Sequence, residues 1–314
     1  MTSVGGPMAW AVFGVVVIAM LAVDLGIFHR KAHEISFKEA ATWSLIWISL
    51  SLAFNTFVLA KFGEDRALEF FQAWLIEKAL SVDNLFVFLA AFSFFAVPAR
   101  LQHRVLFWGI FGALVTRGVF IVAGAALLAT FHWVMYVFGA ILILTAIRLL
   151  FGTEEAVHPE RNPVLKVFRK LVRVTPDYDG PRFLVKRDGL WFATPLLMVL
   201  VVIETSDVVF AVDSIPAVFG VTRDVFIVYT SNIFAIFGLR ALCFLVASLV
   251  RRLHYLKPGI ALVLAFVGVK MVVADKLPIS DGVSLAVVGG IIAVAAIGSW
   301  MFAPKDGATP PATN

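Results

Sequence analysis

The sequence predicts an all-α, polytopic membrane protein of about nine transmembrane helices carrying two inverted three-helix repeats. Three observations predict it. First, 61% of the 314 residues are apolar and only 15% are charged, with a mean hydropathy of +0.95. A soluble domain has roughly 45–50% apolar and about 25% charged residues. Second, the apolar residues run in stretches long enough to cross a bilayer. Third, most charges fall between those stretches. A soluble chain of this size cannot hide so much apolar surface, so soluble enzymes, disordered chains and nucleic-acid binders are excluded.

The spans follow in chain order. Met8–Phe28 and Ala41–Ala60 are uninterrupted apolar runs. Phe70–Val97 is equally long but carries charges at its middle. Val105–Phe151 exceeds one bilayer crossing and is divided near Phe131 into Val105–Thr130 and His132–Phe151. Trp191–Phe219, Val225–Val250, Gly259–Ala274 and Val283–Ala303 complete the set, with Pro258 suited to the first turn of the penultimate helix. Runs of this length are helices, because barrel strands alternate over about ten residues. Residues 1–314 form one integral domain. The start, Met-Thr-Ser-Val-Gly-Gly-Pro, has no basic leader, so the first helix is expected to be retained.

The connections alternate in charge. Arg30, Lys31 and Lys38, then Arg100 and Arg104, then Arg251, Arg252 and Lys257 share one side with the basic segment 152–190 and with Lys305. The opposite side holds Lys61, Arg66, Arg223 and Lys276. The positive-inside rule places the N-terminus outside and the C-terminus in the cytoplasm. Within 152–190, Lys166, Arg169, Lys170 and Arg173 oppose Leu165, Phe168, Leu171 and Val172 at helical spacing. This pattern predicts a short amphipathic helix on the anionic cytoplasmic leaflet, making membrane lipids a partner. Asp188-Gly189 predicts a hairpin over Phe183–Phe192.

Two segments resemble each other. Ser81-Val82-Asp83-Asn84 is echoed by Ala211-Val212-Asp213-Ser214, and an acid lies six residues before each aspartate, Glu77 and Asp207. Arg100 then corresponds to Arg223 and Arg117 to Arg240. Each copy, residues 70–151 and 191–274, contains three spans, so the two run oppositely through the bilayer, a pattern of secondary transporters.

Glu77, Asp83, Glu204, Asp207 and Asp213 lie well inside the spans. At about 2.5–3.5 kcal/mol each, their insertion penalty is of order 10–15 kcal/mol before pairing. Lys78, Arg117 and Arg240 are the deep bases, in charge-pairing or gating positions together with Asn232, and buried pairs that fix helix register are one reading of the bases. They leave two negative charges over, which a desolvated dication or two protons would neutralise. The donors nearby are oxygens: Ser81, Asn84, Thr205, Ser206, Ser214 and Asn232. Hard oxygen ligands suit Mn²⁺, Mg²⁺ or Ca²⁺. Glu77, Asp83, Asn84, Glu204, Asp207, Asp213 and Ser214 are the candidate metal-binding residues, with a divalent metal ion and protons as partners. Glu204 and Asp207 share a helix face. Pro216 could kink or unwind the helix and turn Asp213 back toward them. The single cysteine, Cys243, cannot form a disulfide framework or a CxxC pair. No organic cofactor motif and no intramembrane-enzyme motif such as HExxH is present, so the protein is read as non-enzymatic.

Several stretches resemble the TerC/Alx family of integral membrane proteins. They are Asp24-Leu-Gly-Ile-Phe-His-Arg-Lys-Ala-His-Glu-Ile-Ser-Phe-Lys-Glu39, Glu77-Lys-Ala-Leu-Ser-Val-Asp-Asn84, Glu204-Thr-Ser-Asp-Val-Val-Phe-Ala-Val-Asp-Ser-Ile-Pro216, Thr230-Ser-Asn-Ile-Phe-Ala-Ile-Phe-Gly-Leu-Arg240 and Phe266-Val-Gly-Val-Lys270. The resemblance extends over nearly the whole chain. It implies Mn²⁺ as a transported substrate, export from the cytoplasm across a bacterial inner membrane, and membership of a wider LysE-like transporter group. It also implies the alternative of a membrane-bound redox modulator, or of a regulatory protein of tellurium resistance and metal homeostasis.

Overall fold

A computed structural model describes residues 3–28, 37–151, 162–239, 241–243, 245, 255–277 and 279–301. Among these residues the fold is all-α apart from one small hairpin. Helices α1 (Pro7–Phe28), α2 (Phe37–Phe62), α3 (Glu64–Phe94), α4 (Ala99–Thr130) and α5 (Val134–Phe151) come first. A cap follows, made of α6 (Pro163–Leu171), β1 (Leu184–Arg187) and β2 (Leu190–Ala193). Then come α7 (Pro195–Phe219), α8 (Val225–Ile236), α9 (Leu256–Val273) and α10 (Asp281–Met301). Helices α2, α4, α5, α7 and α10 are long and apolar enough to cross a membrane, and Pro7–Val23 and α8 are shorter apolar helices. Large apolar side chains point outward from them, Val15, Leu45, Val119 and Val294 among them. In water such a surface would be untenable; in lipid it is the expected exterior.

Local chemistry explains the boundaries. The α4–α5 break falls at Phe131–Trp133, as expected, with a one-residue cap at Phe131. Asp224 caps α8 by accepting from the Phe226 and Ile227 amides at 3.0 and 3.2 Å, and it also accepts from the Val4 amide at 2.7 Å. Its one carboxylate thus ties the entry of the chain to the start of α8. Asn162 caps α6 in the same way, with Pro163 at the first helical position.

Three departures from expectation have a clear local cause. The span drawn from Trp191 starts at Pro195, because Leu190–Ala193 pairs antiparallel with Leu184–Arg187 and Pro195 opens the helix. The hairpin turns at Asp188-Gly189, with φ of 50° and 79°, as the dipeptide foretold. The span drawn over Val225–Val250 is interrupted: α8 ends at Ile236, and Phe237-Gly238 breaks it before helical backbone resumes at Leu239. Gly238 has φ of 87°, and a Cβ there would lie 2.8 Å from Cβ of Trp47. Only glycine meets both conditions without strain. Third, α7 runs through Pro216 without unwinding.

Packing places α3 against α7 and α8, and α4 against α7 and α8. The most extensive contact is between α5 and α9, where Gly139 and Gly268 cross so closely that a Cβ on either would reach the other's carbonyl oxygen within 3 Å (2.9 and 2.8 Å). Two apolar clusters divide the interior. One takes Leu101–Leu114 side chains of α4, Leu196–Ile203 of α7 and the aromatic group of Trp10, Phe13, Phe54, Phe226 and Phe234. The other takes Ile121 and Ala125 of α4, Ala211–Phe219 of α7, and the α5–α9 contact. Arg117 and Asp207 fall between the two.

In the cap, Leu165 and Phe168 of α6 pack on the protein, while Lys166, Arg169 and Lys170 stay exposed. The expected amphipathic helix is present, ending at Leu171, so Arg173 lies beyond it. Tyr178 donates its hydroxyl to the Phe95 carbonyl at 2.8 Å, and burial raises its phenol above the ordinary range, keeping it a donor. This bond and Arg104 over the Phe183 ring hold the cap on the α3–α4 turn.

Candidate functional site

The intramembrane charges converge on Arg117. It sits on α4 with a side chain 1% exposed, and forms a close ion pair with Glu77 of α3. Its Nη2 reaches Asp207 Oδ1 of α7 at 3.4 Å. Its Nη1 donates to Ser214 Oγ at 2.9 Å and lies 3.4 Å from Asn232 Oδ1 of α8. Four helices are thereby joined through one guanidinium. Thr116, its neighbour, lies 3.1 Å from Asp207 Oδ2.

Beside this knot lies a cavity of about 80 Å³ lined by Glu77, Asn84, Arg117, Thr145, Asp213 and Ser214, closed by Leu80, Leu149, Phe210 and Leu264. It has room for a small cation with a little water. Asp213 takes a hydrogen bond from Thr145 Oγ1 of α5 at 2.7 Å. Three buried atoms, Glu77 Oε2, Arg117 Nε and Asn232 Nδ2, have no hydrogen-bond partner among the described residues. Of these, Glu77 Oε2 can accept a cation or a proton, whereas the two N–H groups are donors that call for an acceptor such as water.

A second polar feature adjoins the first. Lys78 Nζ donates to the Ala235 and Phe237 carbonyls at 2.9 and 3.2 Å. These carbonyls are free because α8 is broken at Gly238, so an ammonium supplies what the helix ladder no longer does.

The sequence-derived residues thus fall into distinct places. Glu77, Asn84, Asp213 and Ser214 share the cavity wall. Asp207 is turned away from it, onto Arg117 and Thr116. Glu204 shares the Asp207 face as expected, but its carboxylate rests against Gly112 of α4. Pro216 does not bring Asp213 back toward Asp207, because α7 stays helical and keeps the two acids on different faces. Among the described residues no three carboxylates or histidines form a ready metal cluster. Ser81, Thr205 and Ser206 hydroxyls hydrogen-bond to carbonyls of their own helices. The side chain of Asp83, on α3, and all of Arg240 lie outside the described residues. Thr116 and Thr145 were not singled out from sequence; hydroxyls in apolar helices most often bond their own backbone.

Comparison with known proteins agrees with this architecture. No solved structure matches the chain. An uncharacterized membrane protein of Myxococcus xanthus is 49% identical over 312 residues, covering 98% of each chain. The Alx protein of Escherichia coli (strain K12), named as a candidate membrane-bound redox modulator, is 45% identical over 311 residues, covering 96% of this chain and 97% of its own. Its Salmonella typhi counterpart is 44% identical over 316 residues, covering 98% of each. The profile of the integral membrane protein TerC family matches residues 62–306. The chain belongs to the TerC family of integral membrane proteins.

Proposed function

We propose that this protein transports divalent cations, with export of Mn²⁺ from the cytoplasm in exchange for protons as its activity. The observation that carries the reading is the intramembrane cavity, whose polar walls, Arg117 apart, are the oxygen donors of Glu77, Asn84, Thr145, Asp213 and Ser214. Such donors suit a hard dication and offer nothing soft. An acid that stays in lipid at this cost has a use there.

Two further observations support a transporter. The packing is exchangeable between the proposed copies: α3 meets α8 as α7 meets α4, and α5 meets α9 at a glycine from each. Inverted repeats within a nine-span chain would have these pairings. The break in α8 beside Lys78 is of the discontinuous-helix kind that transporters place at their sites. In the orientation set by the basic loops, the N-terminus is outside the inner membrane and the C-terminus is cytoplasmic. Moving a dication outward against an interior-negative potential costs about 4.6 kcal/mol per 100 mV, so proton entry supplies the drive.

The names of the Alx relatives suggest a redox reading instead. With Cys243 as the single, buried cysteine, this chain cannot cycle a disulfide within itself. Mn²⁺ binding tests the proposal: purified protein is expected to bind Mn²⁺ and quench its free-ion electron paramagnetic resonance signal, while Asp213→Asn protein leaves the signal intact. Equal binding by both would remove Asp213 from the site.

The cap gives a membrane-surface contact. Val164, Val167 and Leu171 form an exposed apolar face on α6 beside Lys166, Arg169 and Lys170. At about 1 kcal/mol per basic residue near an anionic surface, replacing all three by Gln weakens α6 seating substantially. Backbone hydrogen exchange of α6 should rise in that variant in anionic nanodiscs and be unchanged in zwitterionic ones. No difference between the two lipids would rule the contact out.

A further inference from the structure

Arg117 has an unusual pair of partners. Glu77 and Asp207 occupy matching places, each six residues ahead of the aspartate of its copy, and the guanidinium spans both. Glu77 also faces the cavity, where Asp213, Asn84, Thr145 and Ser214 are the other polar walls. One carboxylate therefore has two possible counter-charges: the tethered guanidinium on one side, and a cation in the cavity on the other.

The geometry assigns Arg117 the role of a built-in substitute for the transported cation. It neutralises Glu77 when the cavity holds no metal, and withdraws onto Asp207 when a dication takes Glu77. The inference rests on the cation-transport reading of the same cavity and adds how the unloaded protein resets. A guanidinium suits the task because it keeps its charge at any working pH. Its forked donors also let Nη2 hold Asp207 while Nη1 changes partner. Asn232 Oδ1, at 3.4 Å from Nη1, and Ser214 Oγ, at 2.9 Å, are on hand as neutral acceptors for the released donor.

The physical consequence separates two fluxes. A loaded carrier has its acids neutralised by metal, whether or not Arg117 is present. A metal-free carrier without Arg117, even with protons on Asp213, holds Glu77 and Asp207 without their counter-charge in a low-dielectric interior, and reorientation with that charge arrangement is strongly opposed. Metal-for-metal exchange needs only the loaded form. Net efflux needs the metal-free form, with protons on the remaining cavity acids, to return.

The test uses the full chain in proteoliposomes. Wild-type protein is expected to carry both net Mn²⁺ efflux and exchange of radioactive against unlabelled Mn²⁺. In Arg117→Gln, net efflux falls about a hundredfold or more relative to exchange. Arg117→Lys, which keeps a cation at the position, retains net efflux. Loss of both fluxes in Arg117→Gln, retention of both, or loss of net efflux in Arg117→Lys with exchange intact each overturns the assignment. A wild-type protein with neither flux instead overturns the transport reading itself. A stability readout guards against poor folding of Arg117→Gln: Mn²⁺ should raise its unfolding temperature more than that of wild type, since only the metal then balances Glu77. An equal rise in the two proteins would contradict the proposal.

Discussion

Asp213→Asn protein reconstituted into liposomes is expected to move Mn²⁺ about a hundredfold more slowly than the unaltered chain, the order of effect seen when one partner of a buried charge pair is removed. Asp213 lines the intramembrane cavity and its carboxylate is oriented by Thr145. Asparagine keeps the shape and one acceptor oxygen but loses the charge that a desolvated dication requires. Asp83→Asn is expected to behave alike, because Ser81-Val82-Asp83-Asn84 parallels Ala211-Val212-Asp213-Ser214. Thr145→Val should cost less, about 10–100-fold, since it removes the group that orients a ligand and not the ligand. A metal-sensitive dye trapped in the vesicles reads all three. Mn²⁺ flux unchanged in both aspartate variants would refute the assignment of the site.

The second large effect is on stability. Lys78→Met is expected to destabilise the protein by about 2–5 kcal/mol, because two carbonyls lose their donor where water is scarce, at roughly 1–3 kcal/mol each. The Ala235 and Phe237 carbonyls receive Lys78 Nζ at the break in α8. The adjoining Gly238, at φ of 87° against Trp47, gives the chain no simple way to rebuild a continuous helix there. Methionine fills the same volume but donates nothing. Thermal unfolding of the detergent-solubilised protein reads the loss, and Lys78→Arg, which keeps donors at the position, should recover part of it. A Lys78→Met protein as stable as wild type would mean that the broken helix needs no donor.

The break in α8 also illustrates where sequence reading stopped. Helix positions were legible because lipid demands long apolar runs, and the α4–α5 break and the Asp188-Gly189 hairpin came with recognisable punctuation. Phe237-Gly238 did not: a lone glycine within an apolar run is common in membrane helices, and only the packing of Trp47 shows why this one must be glycine. The start of α7 was misplaced because Trp191 is as apolar as a helix residue, whereas its strand partner lies in Leu184–Arg187.

The site was legible in composition and not in arrangement. Buried acids stand out against an apolar background, so Glu77, Glu204, Asp207 and Asp213 could be named. Which of them share a cavity depends on rotation about α3 and α7 and on their neighbours. Arg117 was expected to pair with nearby acids; that it would bridge Glu77 of α3 and Asp207 of α7 is a fact of tertiary packing. Thr145 carries no signal of its own in an apolar helix, yet it holds Asp213.

Metal flux under an imposed pH gradient tests the central claim most directly. Wild-type protein is reconstituted into vesicles loaded with Mn²⁺, and the external solution is made more acidic than the lumen. The expected result is rapid Mn²⁺ release accompanied by proton entry, both abolished when the gradient is collapsed by a proton carrier and both absent from Asp213→Asn vesicles. Vesicles that retain their Mn²⁺ at the rate of protein-free liposomes, or that release it at a rate indifferent to the gradient, would contradict proton-coupled cation export by this cavity.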